Sequence, residues 1–295
     1  MTQNMIVEND YGSVEYICLN EKMLEDAIYI NHKLGQAKIS LYGGQVLTWQ
    51  PKNEKPVLWL SDNAIFKEGK AIRGGVPICW PWFGPHDQDF TAPNHGFART
   101  QYWQLEDIFV EEDYVKLILT LTGEDEHPLW PHEFILKQEI IFGSDFTQTL
   151  LIQNLSDECV KYTGALHSYF SVGDPEKVEV PALSKYSFDD KITGESNVIS
   201  TLHNCKGSID RICYATEPMV LLDKVWQRKI CIETEHCGQW ILWNPGEEIA
   251  SNMPDIHKGG ENNFVCLEAA NTQWCDIAPQ SEVYIRQTIK VMASD

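Results

Sequence analysis

The sequence is short of positive charge. Against 43 Asp and Glu it sets 23 Lys and Arg, a formal net charge of −20. Nucleic-acid binders of this size are normally basic, so that class is set aside. Long apolar runs are also missing. None approaches the roughly 18 residues of a membrane helix, and the opening MTQNMIVENDYGSVEYICLNEK lacks the basic and apolar regions of a secretory signal. The expectation is a cytoplasmic protein with no membrane or nucleic-acid partner. The nine cysteines are odd in number, scattered and free of C-x-x-C, which reads as reduced thiols. The nine histidines show no H-E-x-x-H or other metal spacing, so no metal is expected. G-x-S-x-G, G-x-G-x-x-G and the Walker A pattern are all absent.

Helical periodicity is missing as well: no segment holds a 3.6-residue period over three turns. The dominant period is two. From Val115 to Leu121 every odd position is apolar, and from Glu282 to Val291 the odd side is apolar apart from Gln287. Residues 134–142 and 146–154 flank Gly143-Ser144-Asp145 and predict a hairpin. Residues 218–223, 228–234 and 239–244 predict a further meander. Short strands between loops rich in Gly, Pro, Asn and Asp indicate an all-β fold, a β-sandwich or barrel. With 295 residues and no linker or repeat, one domain over 1–295 is the simplest organisation.

One long loop stands out, residues 72 to 99, beginning IRGGVPICWPWFGPH and ending PNHGFART. Loops of this length in compact domains are usually functional. Arg73 and Arg99 stand at its ends beside Gly74-Gly75 and Asn94-His95-Gly96. Glycines admit a ligand close to the backbone, and guanidinium forks match phosphate or carboxylate. The alternative is that each arginine ties down its own loop. Trp80, Trp82 and Phe83 are either stacking surfaces for a sugar ring or an apolar clamp, and for at least two of the three the clamp is favoured. Cys79 reads as a small buried residue.

Two titratable residues sit in apolar surroundings. His167, in Thr163–Phe170, is either a satisfied core histidine or a general acid with a pKa suited to neutral pH. Glu268 closes the apolar run Phe264–Leu267. A carboxylate there is costly to desolvate unless paired or used, and the alternative is a strand end turned to solvent. Asp210, in Gly207-Ser208-Ile209-Asp210-Arg211, reads as a solvated turn.

The segments Arg73-Gly74-Gly75-Val76-Pro77-Ile78-Cys79-Trp80-Pro81 and His95-Gly96-Phe97-Ala98-Arg99 resemble the glucose-6-phosphate 1-epimerases, or hexose-6-phosphate mutarotases, of the aldose 1-epimerase-like group. Leu166–Phe170, Asp210-Arg211, Trp243-Asn244-Pro245 and Val265–Glu268 continue the match in the family's order. The resemblance implies a large antiparallel β-sandwich, the galactose mutarotase-like supersandwich, with its site on a concave face. It implies interconversion of the α and β anomers of hexose 6-phosphates, a reaction that needs no cofactor; a monomer is expected. His167 and Glu268 would be the catalytic pair, and Arg73, Asn94, His95, Arg99 and Asp210 would contact substrate. Two departures, Gly246 where the family often has tryptophan and Cys213 where it often has tyrosine, would alter the pocket rim.

Ring opening needs a base for the anomeric hydroxyl and an acid for the ring oxygen. Glu268 is assigned as the base and His167 as the acid, an ion pair held by mutual attraction. A neutral-sugar 1-epimerase and a non-catalytic sugar-binding module remain as alternatives. A glycosidase would need two flanking carboxylates, and only Glu268 qualifies.

Overall fold

The computed structural model describes residues 2–18 and 26–294. In chain order these run through β1 (Thr2–Asn9), β2 (Gly12–Cys18), β3 (Asp26–His32), β4 (Gly35–Ser40), β5 (Gln45–Pro51), β6 (Ile78–Cys79), β7 (Gln104–Val110), β8 (Val115–Gly123), β9 (Phe134–Phe142), β10 (Phe146–Asn154), β11 (Val160–Leu166), β12 (Tyr169–Ser171), β13 (Val178–Glu179), β14 (Phe188–Asp190), β15 (Ile209–Cys213), β16 (Met219–Asp223), β17 (Arg228–Glu235), β18 (Gln239–Asn244), α1 (Gly246–Ala250), β19 (Phe264–Ile277) and β20 (Ser281–Ala293). Strands β1 to β5 form a sheet in sequential order. An eight-stranded sheet runs β13-β16-β17-β20-β10-β9-β8-β7, and a seven-stranded sheet runs β14-β15-β18-β19-β11-β6 with β12 also on β19. The pairings within them are antiparallel, as the period-two pattern predicts.

The alternation decides which sheet a strand joins. β8, β9 and β10 bury every second residue, the mark of a sheet with one solvated face. β18 and the first eight residues of β19 are buried on nearly every side. One continuous core joins Leu117, Ile140, Leu150 and Ile289 of the eight-stranded sheet to Leu166, Leu242 and Leu267 of the seven-stranded one. The hairpin at 143–145 forms as expected, with Phe142 opposite Phe146. The further meander does not: β16 pairs with β17, but β17 turns to β20 while β18 crosses to β15 and β19.

Gln287, the exception on the apolar side of β20, is fully buried and part of a polar chain. Its Nε2 donates to Gln148 Oε1 (3.0 Å), Gln148 Nε2 to Gln138 Oε1 (2.8 Å) and Gln138 Nε2 to Gly44 O (2.8 Å). At the other end Ser168 Oγ donates to Gln287 Oε1 (2.9 Å), fixing the residue beside His167. A buried polar group is tolerable only when bonded in this way.

The segment 72–99 is locked to the sandwich. β6 pairs with β11, and bridges join Val76 to Val46, Leu60 to Gly74 and Trp80 to Gly96. The glycines serve this packing and not ligand approach. At Gly75 (φ +62°) a Cβ would lie 2.0 Å from the Val46 carbonyl oxygen, and at Gly96 (φ +67°) 2.0 Å from that of Trp80. Gly75→Ala therefore meets backbone in a conformation that L residues avoid. The expected loss is about 3 kcal/mol or more, the far end of the single-substitution range, read as a lower urea midpoint at unchanged slope. An unchanged midpoint would contradict this packing.

Candidate active site

The two faces of β19 have different fates. Val265, Leu267 and Ala269 point into the main core, while the side chains between them point the other way. Glu268 is on that second face, as is Cys266. The neighbouring strands repeat the pattern: Ile209 and Cys213 of β15 enter the core, and Asp210 and Ile212 line a cavity with Ile241 and Trp243 of β18. This cavity, about 520 Å³, is bounded by His167, Glu268, Asp210, Asn94, His95, Arg99 and Arg73. All seven residues singled out from the sequence thus meet in one pocket. A larger cavity of about 870 Å³ shares Met253 with it but holds neither His167 nor Glu268.

Glu268 is 1% exposed, so it is no solvent-facing strand end. His167 follows β11, its imidazole stacked on Tyr169 (4.8 Å, 8°) and edge-on to Trp243 (6.0 Å). His167 Nδ1 lies 3.1 Å from Glu268 Oε1. The angles are not those of a hydrogen bond, and Nδ1 and Glu268 Oε2 are both buried without a bonded partner. Buried polar atoms left open in this way are characteristic of functional sites.

The expected ion pair is not what this environment favours. Burial pushes the His167 pKa well below 6.5, and Arg99 and Arg73 push it further. Burial pushes Glu268 well above 4.5, reinforced by Asp210 and opposed by Arg99. Mutual attraction does not outweigh desolvation. The free pair is a neutral imidazole beside a carboxylic acid, which holds the same number of protons as the ion pair.

Asp210 lies mid-strand in β15, opposite Trp243 of β18, and not in a solvated turn. Burial raises its pKa, and the charge of Lys191 counters. His95, at φ +65°, accepts from the Gly84 N–H at Nδ1 (3.2 Å), which assigns its proton to Nε2. Burial, then Arg99, His167 and Arg73, hold it neutral.

Arg73 is the more firmly held arginine. Nε donates to Asp255 Oδ2 (3.0 Å) and Nη1 to the Tyr169 hydroxyl (2.8 Å). Burial works against its charge, but Tyr169 and Asp255 outweigh it. Arg99 Nη2 donates to the Asn94 carbonyl (2.7 Å), so each arginine does tie its own surroundings while still lining the pocket. Trp80 and Trp82 are fully buried clamp residues, and Phe83 alone of the three reaches the cavity. Cys79 is buried, its thiol pushed up to about 12. The two departures lie away from this rim: Cys213 is in the core, and Gly246 lines the larger cavity.

Sequence reasoning missed Lys191, Asp255 and the placing of Tyr169. Lys191 adds a third cation to the pocket, and its only sequence signal is a basic residue after two aspartates. Asp255 had no signal, because its partner Arg73 is far away in the chain.

Residues 26–288 match the aldose 1-epimerase family. The chain belongs to that family. As an aldose 1-epimerase family member it is an isomerase that interconverts sugar anomers. It is 36% identical over 272 residues to the Escherichia coli K12 protein named "Putative glucose-6-phosphate 1-epimerase", covering 90% of each chain. A protein of the same name from Cenchrus ciliaris is 31% identical over 248 residues, covering 79% of this chain and 74% of that one. The crystal structure of a "putative mutarotase" from Salmonella typhimurium superposes with a TM-score of 0.88 at 31% identity, over 98% of this chain and 97% of the other. The galactose 1-epimerase of Lactobacillus acidophilus NCFM shares the fold, with a TM-score of 0.66 at 13% identity over 100% and 99%.

Proposed function

We propose that the protein interconverts the α and β anomers of hexose 6-phosphates, glucose 6-phosphate first among them. The observation that carries the phosphate assignment is Arg73, Arg99 and Lys191 around the cavity that holds His167 and Glu268. A neutral hexose gives no reason for three cations in one pocket. A phosphate dianion does, and these groups bind it locally although the whole chain is acidic, since distant surface charge is screened beyond about 8–10 Å. The phosphate does not react. Its binding energy orients the sugar so that C1 and the ring oxygen face the catalytic pair.

In this account the pair reacts from its ion-pair form, reached from the neutral one by moving the single proton from Glu268 to His167: Glu268 then takes the anomeric hydroxyl proton and His167 protonates the ring oxygen as the C1–O5 bond breaks. The C1–C2 bond turns, and the roles reverse as the ring closes on the other face of the aldehyde. After opening, Glu268 is a neutral acid and His167 a neutral imidazole. That is the charge state burial favours, so the opening step returns the pair from its charged reacting form to its resting one. Asp210, Asn94 and the His95 Nε2–H hold the sugar hydroxyls. The same reading takes the molecule as one cytoplasmic domain acting as a monomer. Among the described residues no helix is long and apolar enough to cross a membrane.

Anomer exchange followed by proton NMR across about pH 4 to 10 tests the pair. Activity needs one proton on it. The acid limb, where His167 gains a second proton, is expected below 6.5, and the alkaline limb, where Glu268 loses the last, above 4.5. A broad bell is the expected shape. A flat profile would contradict the acid–base assignment.

A further inference from the structure

The second face of β19 carries Cys266 as well as Glu268, and the cysteine takes no part in the reaction described above. One donor atom each from His167, Cys266 and Glu268 lies within 4.8 Å of the others, and all three residues are buried. His167 Nδ1 and Glu268 Oε2 are among the buried atoms left without hydrogen-bond partners. Zinc held by S, N and O donors at about 2.0–2.3 Å sets ligand atoms about 3.3–3.8 Å apart. His167 and Glu268 are already at 3.1 Å, so a contraction of about an ångström at Cys266 completes the set. Sequence spacing hid it, because Cys266 and Glu268 are two apart on a strand while His167 lies far away in the chain, just after β11.

We propose that the catalytic pair and Cys266 form an inhibitory site for a borderline-soft divalent cation, Zn²⁺ or Co²⁺, entered from the sugar pocket. The donor set fits those ions and not Mg²⁺ or Ca²⁺, which demand oxygen ligands. Arg73 and Arg99 nearby would repel a free cation. A thiolate and a carboxylate cancel the charge of the bound ion, so the occupied site adds no net positive charge. Burial holds the Cys266 thiol protonated well above pH 9, and the metal would displace that proton on binding. Bound there, the ion removes both proton-transfer groups at once.

The inhibition half of this proposal rests on the catalytic reading above, and the binding half does not. Titrating the intact protein with Co²⁺ tests binding alone. A thiolate-to-cobalt charge-transfer band is expected in the near ultraviolet, absent from both C266S and H167N. Two variants on different elements guard against one failing to fold. Anomer exchange under added Zn²⁺ tests the consequence. Wild type is expected to lose activity and regain it with EDTA. C266S is expected to keep its basal activity and to need about tenfold or more Zn²⁺ for the same loss, because even supporting residues of metal sites are worth about 10–100-fold in affinity. A band unchanged in C266S, inhibition unchanged in C266S, or equal inhibition by Mg²⁺ would overturn the proposal.

Discussion

Glu268→Gln is expected to lower the rate of anomer exchange by about 10²–10⁴-fold, the range of one positioned proton transfer, while making the protein more stable at alkaline pH. Gln keeps the shape of the side chain and removes its proton chemistry. The stability gain follows from burial. Glu268 is fully enclosed, and its folded pKa is raised well above 4.5. A raised pKa gives stability that is full below the unfolded value and is lost as pH rises through the folded one. That loss runs at about 1.4 kcal/mol per pH unit for one proton. Gln has no such proton to lose. The Tm of the variant should therefore exceed that of wild type by a margin that grows as pH rises from about 4.5. Thermal unfolding at several pH values reads this directly. A margin that shrinks with rising pH would mean Glu268 is stabilised as an anion, and the neutral-pair account would be wrong. A variant with near-normal turnover would remove Glu268 from the chemistry.

Arg99→Ala is expected to divide two substrates that share the same reacting atoms. Charge-assisted hydrogen bonds are worth about 1.5–3 kcal/mol, which corresponds to about 10–150-fold in kcat/KM for glucose 6-phosphate. For glucose, with no phosphate to bind, the loss should be small. Part of any effect comes from the Arg99 bond to the Asn94 carbonyl, which holds the loop. That part falls on both sugars equally, so the ratio between them isolates the phosphate contact. Equal losses would make Arg99 a loop anchor and move the protein to the neutral-sugar branch. Lys191→Ala should show the same selectivity. It carries the simpler test, since Lys191 is an exposed pocket cation.

The sequence was most readable where one face of a sheet is wet. β8 and the β9–β10 hairpin alternate because water and core demand different side chains at successive positions. Legibility failed where both faces are buried. β18 reads as another apolar run after β17, and only its nearly continuous burial marks it as part of the other sheet. The site shows the same division. His167, Glu268 and the two arginines were visible as polar residues in apolar or glycine-rich settings. Their charge state was not, because it depends on the full burial of Glu268 and on guanidiniums brought from distant segments. The glycines beside Arg73 were misread for a related reason: the atoms they make room for belong to Val46 and Trp59, brought from other parts of the chain.

Turnover of a phosphate-anchored sugar by the His167–Glu268 pair is tested most directly by measuring anomer exchange of glucose 6-phosphate and of glucose in parallel by proton NMR. The account predicts exchange of glucose 6-phosphate well above its spontaneous rate, with glucose little accelerated. Acceleration of glucose alone, or of both sugars equally, would contradict it.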